Sequence, residues 1–124
     1  MTDEVVTPTV NLALVRGVAS GPPELRTLAS GRRLATFAVK THGLEPPATS
    51  VPVAVWDPPT WLDAVDQGDQ LVVAGCLRRR FYRSTTGALA ARVELEASLV
   101  GRGSDARKLR RVRHLAQETL ENLE

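Results

Sequence analysis

Val51, Val53 and Val55 alternate with Pro52, Ala54 and Trp56, the period of two that puts one apolar row on the buried face of a sheet. The pattern predicts a strand there, and it recurs along the chain. Thr9 to Val18 is rich in Val and Leu with few breakers and reads as a first strand. Arg32 to Thr41, with Leu34 and Phe37 to Val39, reads as the second, and Val51 to Trp56 as the third. The apolar run Leu71 to Cys76 opens a long fourth strand at Gln70, which bends at Gly75. Leu89 to Val100 is the last strand, with Val93, Leu95, Ala97 and Leu99 facing one way and Arg92, Glu94, Glu96 and Ser98 the other.

The breakers between these runs are turn residues. Ser20-Gly21-Pro22-Pro23 and Ser30-Gly31 bracket a connection, Glu24 to Ala29. His42 to Ser50, with Gly43, Pro46 and Pro47, is a loop. Asp57-Pro58-Pro59 stops the third strand and opens a short helix, in which Trp61, Leu62 and Val65 sit at helical spacing before Gly68-Asp69 closes it. Ser84 to Gly87 is a hairpin turn. The predicted order is three strands, a short helix and two strands. An all-β fold follows: the oligonucleotide-binding (OB) arrangement, a five-stranded Greek-key barrel with a helix between strands 3 and 4.

Gly101-Arg102-Gly103 reads as a linker to a segment of different character. Ser104 is the expected N-cap of a C-terminal α-helix running to Glu124, in which Leu109, Val112, Ala116, Leu120 and Leu123 trace one face. Its first half is basic (Arg107, Lys108, Arg110, Arg111, Arg113) and its second half acidic (Glu118, Glu121, Glu124), which opposes the helix dipole. Two such helices laid antiparallel would pair unlike halves. The helix can therefore join two copies of the chain, pack on its own barrel, or serve as a basic arm on DNA. The division is 1–103 for the barrel and 104–124 for the amphipathic helix.

With 124 residues and 43% hydrophobic positions the chain is large enough for one folded domain and too short for two. Formal net charge is only +2, yet 16 basic residues include just Lys40 and Lys108 as lysines. Arginine suits bidentate phosphate contacts and stacking on bases. Cys76 is the sole cysteine, so no internal disulfide is possible, and its apolar surroundings suggest a buried structural thiol. The N-terminus is acidic and no segment approaches the roughly 20 apolar residues of a membrane span. A cytoplasmic location, associated with the nucleoid, is the expectation.

The fourth strand then becomes informative. In Leu77-Arg78-Arg79-Arg80-Phe81-Tyr82-Arg83, alternation puts Arg78, Arg80 and Tyr82 on one face, about 7 Å apart. Cations for phosphates and a flat ring for a base are what single-stranded nucleic acid requires. The competing reading is an edge strand guarded by charge against aggregation.

Taken together, the chain resembles the bacterial single-stranded DNA-binding protein (SSB) family, from about Asn11 to Val100. The resemblance is carried by Asn11 and Gly17, Pro23-Glu24-Leu25-Arg26, Ser30-Gly31, Ala35 to Val39, the strand Val51 to Trp56, Gly68-Asp69, Gly75 to Tyr82 and Gly87. It implies an OB fold that binds single-stranded DNA with little sequence preference in replication, repair or recombination. It further implies a homotetramer or other homo-oligomer, with no catalysis and no cofactor. Carried over by position, Trp56 and Tyr82 match stacking aromatics, and Arg78 and Arg80 match basic positions beside them. Two aromatic positions of the family have no counterpart here: Ser50 or Val51 stands at one, and Gly43 to Glu45 covers the other. The family's Gly-rich extension with an acidic tip is replaced by the charged helix, which puts recruitment of other enzymes in doubt.

Lys40, Arg32 and Arg33 are candidate phosphate contacts, each with an ordinary surface role as the alternative. Trp61 and Phe81 are expected to pack inward, and Glu94 and Glu96 to form a solvated face. His42 and His114 are isolated, without metal-ligand spacing. Nothing resembles a catalytic triad, a phosphate loop or a carboxylate pair. The main alternative is an SSB-like module for oligomerisation or protein interaction that has lost most DNA binding, as the scarce aromatics suggest.

Overall fold

The computed structural model describes residues 9–123 and is built mostly of strands. They are β1 (Ala13–Ala19), β2 (Glu24–Thr27), β3 (Arg33–Thr41), β4 (Thr49–Trp56), β5 (Gln70–Arg83) and β6 (Leu89–Arg102). A 3-10 helix, Thr60–Ala64, lies between β4 and β5, and α1 (Ala106–Glu121) follows β6. The acidic N-terminal residues and Glu124 lie outside the described residues. No helix among the described residues is long and apolar enough to cross a membrane.

The strands run β1-β5-β6-β4-β3, and β1 pairs back to β3, giving a ring of five, with β2 along the outside of β3. The ring depends on two short joints. β1 meets β3 at Val18↔Lys40 and Ala19↔Val39, and β4 runs parallel to β6 at Val53↔Leu95 and Ala54↔Glu96. The first joint needs Gly17, because any Cβ there would run into the Lys40 carbonyl. Inside, Phe37, Val39, Val53, Val55, Leu71 and Leu95 fill the core, as the period of two requires.

Several expectations change. Residues 9–12 form no strand; β1 begins at Ala13, and the Asn11 amide instead pairs with the backbone N–H and C=O of Leu77 (2.8 and 2.9 Å). The connection at Glu24 contains a strand, β2, which has no buried residue and owes its form to pairing with β3. The helix expected between the third and fourth predicted strands is not seen. In its place is the single 3-10 turn, with Pro59 before it and Val65 back in extended backbone. Five residues cannot repay the nucleation cost of an α-helix, but they suffice to bury Leu62 against the core, with Val65 following it there from just beyond the turn.

At the other end, Gly101-Arg102-Gly103 is not a loose linker. β6 runs through Arg102, Gly101 pairs with Val72, and the Gly103 N–H donates to the Gln70 carbonyl (2.9 Å). Asp105, not Ser104, caps α1, its carboxylate accepting from the N–H groups of Arg107 and Lys108. Val112 is buried against Val72 and Ala74, with Leu109, Leu115 and Leu99 around them, so α1 covers the outer face of β5 and β6. The apolar face outruns its support, leaving Leu120 and Leu123 exposed.

Candidate nucleic-acid interface

The site is organised by a β-bulge. Between Ala74 and Gly75 the pairing of β5 with β6 shifts by one residue. Before it, Val73 opposite Val100 faces the core and Ala74 opposite Leu99 faces α1. Beyond it, Leu77 lies opposite the core residue Leu95, and Cys76 opposite Glu96. Gly75 permits this, since a Cβ there would strike the Glu96 carbonyl. The expected common face of Val93, Leu95, Ala97 and Leu99 is therefore split, with Leu99 turned to the helix side. Cys76 is only half-buried on the outer side.

After the bulge, Arg78, Arg80 and Tyr82 alternate on the outer face of β5. Arg78 reaches across to the Glu96 carboxylate, and Arg80 to that of Glu94. The expectation of a solvated acidic face is wrong here. Glu94 is only 2% exposed, with Arg80 on one oxygen and the Arg92 guanidinium 3.5 Å from the other. Burial of that carboxylate is tolerable because two guanidinium groups flank it. The two arginines of the expected phosphate track are thus already paired. Tyr82 is exposed, with the Arg92 guanidinium 5.8 Å from its ring centre.

Trp56 ends β4 on the face opposite Val55 and is half-buried. It lines a cleft of about 380 Å³ with Arg78, Arg79, Arg80, Phe81, Glu94 and Glu96. Arg32 lies over its ring at 4.5 Å and is held there by Asp57 (3.1 Å). Asp57 itself sits at φ 49°, which turns the chain sharply after the tryptophan. Arg33 instead pairs with Asp63 (3.6 Å). Lys40 is exposed on β3, six residues and about 20 Å of strand from Leu34, which opposes Trp56. Trp56, Arg78, Arg80 and Arg32 are therefore brought together. Tyr82 extends the row toward the hairpin tip, while Arg33 and Lys40 stand apart.

Phe81 does not pack inward. It is 62% exposed, and Leu77, Leu89 and Val93 share its side of the β5–β6 hairpin, also exposed. Trp61 does pack on the core, with the Arg102 guanidinium 5.1 Å from its ring. Sequence reasoning missed the two carboxylates and the approach of α1: Lys108 and Arg111 border a second cleft that also contains Trp56. Alternation could not show either, because a bulge and a helix packing across strands leave no period to read. Among the described residues no group of three or more His, Cys, Asp or Glu could hold a metal ion.

No family model matches the chain, and no curated protein matches it in sequence.

Proposed function

We propose that this protein binds single-stranded DNA with little sequence preference, on an OB-type barrel of the SSB kind, in replication, repair or recombination. The observation that carries the reading is Trp56, an outward, half-buried indole in a cleft bordered by Arg78, Arg79 and Arg80. A stacked base on such a platform contributes about 1–3 kcal/mol, and each neutralised phosphate steepens the salt dependence by roughly 0.7. Arg32, already against one side of the ring, adds a cation beside the base. The ring of strands and its parallel β4–β6 joint are compatible with this fold. Such a protein acts in the cytoplasm at the nucleoid, without cofactor or catalysis, and as a homo-oligomer, for which the exposed Leu77, Phe81, Leu89 and Val93 offer an apolar contact between copies.

Titration of intrinsic tryptophan fluorescence with oligothymidylate at two salt concentrations tests the reading. Quenching that weakens with salt is expected, and Trp56→Ala should lose at least the stacking contribution of one base while keeping a folded far-UV spectrum. Unchanged affinity in that variant refutes the role of Trp56.

A second reading is favoured by one observation: Glu96 and Glu94 occupy Arg78 and Arg80. If those pairs hold, the strand face is nearly neutral, and the protein serves chiefly as an oligomerisation or interaction module. Absence of any fluorescence change at low salt would select it.

A further inference from the structure

Most of the arginines around Trp56 are already paired, whereas the first turns of α1 carry a cluster of cations that no carboxylate engages among the described residues. Arg78, Arg80, Arg92 and Arg32 all have carboxylate partners. Among the described residues no ion pair engages Arg107, Lys108, Arg110 or Arg111. These four occupy the first two turns of a helix whose own N-terminal field is positive. Their placement works against the helix, and among the described residues the Asp105 cap is the one carboxylate at this end to offset four cations; a bound polyanion would offset the rest.

Their position is continuous with the tryptophan site. Trp56 borders both the cleft it shares with Arg78 and Arg80 and a second cleft, between the end of β4 and α1, where Lys108 and Arg111 stand. Ser98, Leu99 and Arg111 also line a larger cleft beside α1, of about 730 Å³, together with Arg107 and Arg110. Arg107, Arg110 and Arg111 share one helical row, while Leu109, Val112 and Leu115 hold the other row on the sheet. The basic stretch stops one turn later, where His114 faces Glu118 at 3.2 Å.

We infer that α1 is the phosphate-binding half of the interface: Arg107, Lys108, Arg110 and Arg111 neutralise the backbone of a DNA strand whose base rests on Trp56. This rests on the reading of the Trp56 cleft as a single-stranded DNA site. The strand runs from the hairpin past Trp56 and along the helix, so the helix replaces cations that the carboxylates withhold on β5.

The test compares the full chain with R107Q/R110Q/R111Q, R78Q/R80Q and W56A, each titrated with oligothymidylate across a salt series. Lys108 stays, because its aliphatic stem packs over Gly101. Removing cations from the first turns relieves the helix, and far-UV circular dichroism checks that each variant is folded. The helix triple variant should flatten the salt slope by about 2, three contacts at roughly 0.7 each, and by more than the strand pair does. If the unaltered chain binds, W56A weakens it and the triple variant keeps the full slope, the helix is not in the footprint and the inference falls. If the unaltered chain does not bind at any salt, the DNA reading itself fails, and the inference with it.

Discussion

Glu94 keeps a carboxylate in a place that two guanidinium groups make tolerable. One oxygen is paired with Arg80; the other has no hydrogen bond and only Arg92 nearby, at 3.5 Å. A phosphate that captured Arg80 would leave this buried charge with half its compensation, so Arg80 is a structural cation first. Arg80→Ala is accordingly expected to lower unfolding stability by about 1–3 kcal/mol, the cost of leaving a buried charged acceptor short of a partner. Arg79→Ala, at an exposed position with no ion pair among the described residues, should stay within about 0.5 kcal/mol of the parent. Chemical denaturation of both variants checks the contrast, and equal stability would mean that Glu94 does not depend on Arg80. Trp56 was readable at this scale because its neighbour Val55 belongs to an apolar row. The role of Glu94 was not, since Arg92, Glu94 and Glu96 look alike in a polar row until the partner strand is in register.

Among the elements, those with their own periodicity were the ones alternation could find. β3 and β4 carry it, the first half of β5 shows instead as an unbroken apolar run buried on both faces, and each lies close to where the pattern places it. β2 has no buried position, so its strand form comes wholly from β3 and no local signal announces it. The 3-10 turn fails as a helix for the opposite reason: its spacing of Trp61, Leu62 and Val65 is helical, but two prolines and a following glycine leave too little chain to propagate. The helix α1 was visible in its apolar stripe, and the cap shifted by one residue because Asp105, not Ser104, reaches the free N–H groups. Asp105→Ala should therefore cost about 0.5–2 kcal/mol, whereas Ser104→Ala should cost almost nothing. Thermal unfolding of the pair separates them, and equal melting temperatures would displace Asp105 as the cap.

At the scale of the whole molecule, two clusters of exposed apolar side chains stand out among the described residues: the hairpin side with Leu77, Phe81, Leu89 and Val93, and the helix end with Leu120 and Leu123. The antiparallel pairing of helices expected from their charge halves needs the second; the contact between copies proposed for the hairpin needs the first. Cutting the chain at Gly103 cannot decide, because it would uncover Val72 and Ala74 as well. Phe81→Glu and Leu120→Glu can, each measured by light scattering. The hairpin substitution is expected to reduce the assembled mass and the helix substitution to leave it unchanged. The reverse result would assign self-association to α1. The sequence shows these surfaces only in part: the stripe contains Leu120 and Leu123, but Phe81 reads as an inward residue, and the extent of the sheet under α1 decides where the stripe loses its cover.

The joint between β4 and β6 spans only two residue pairs, ending at Ala54 and Glu96, two residues short of Trp56. So brief a seam is where breathing of the ring should begin, well before the long β5–β6 ladder frays. Amide hydrogen exchange at Ala54 should report that opening as faster than at Val73, deep in the ladder. A ligand bridging Trp56 and the helix would act as a clasp across the seam, so oligothymidylate should slow exchange at Ala54 far more than at Val73.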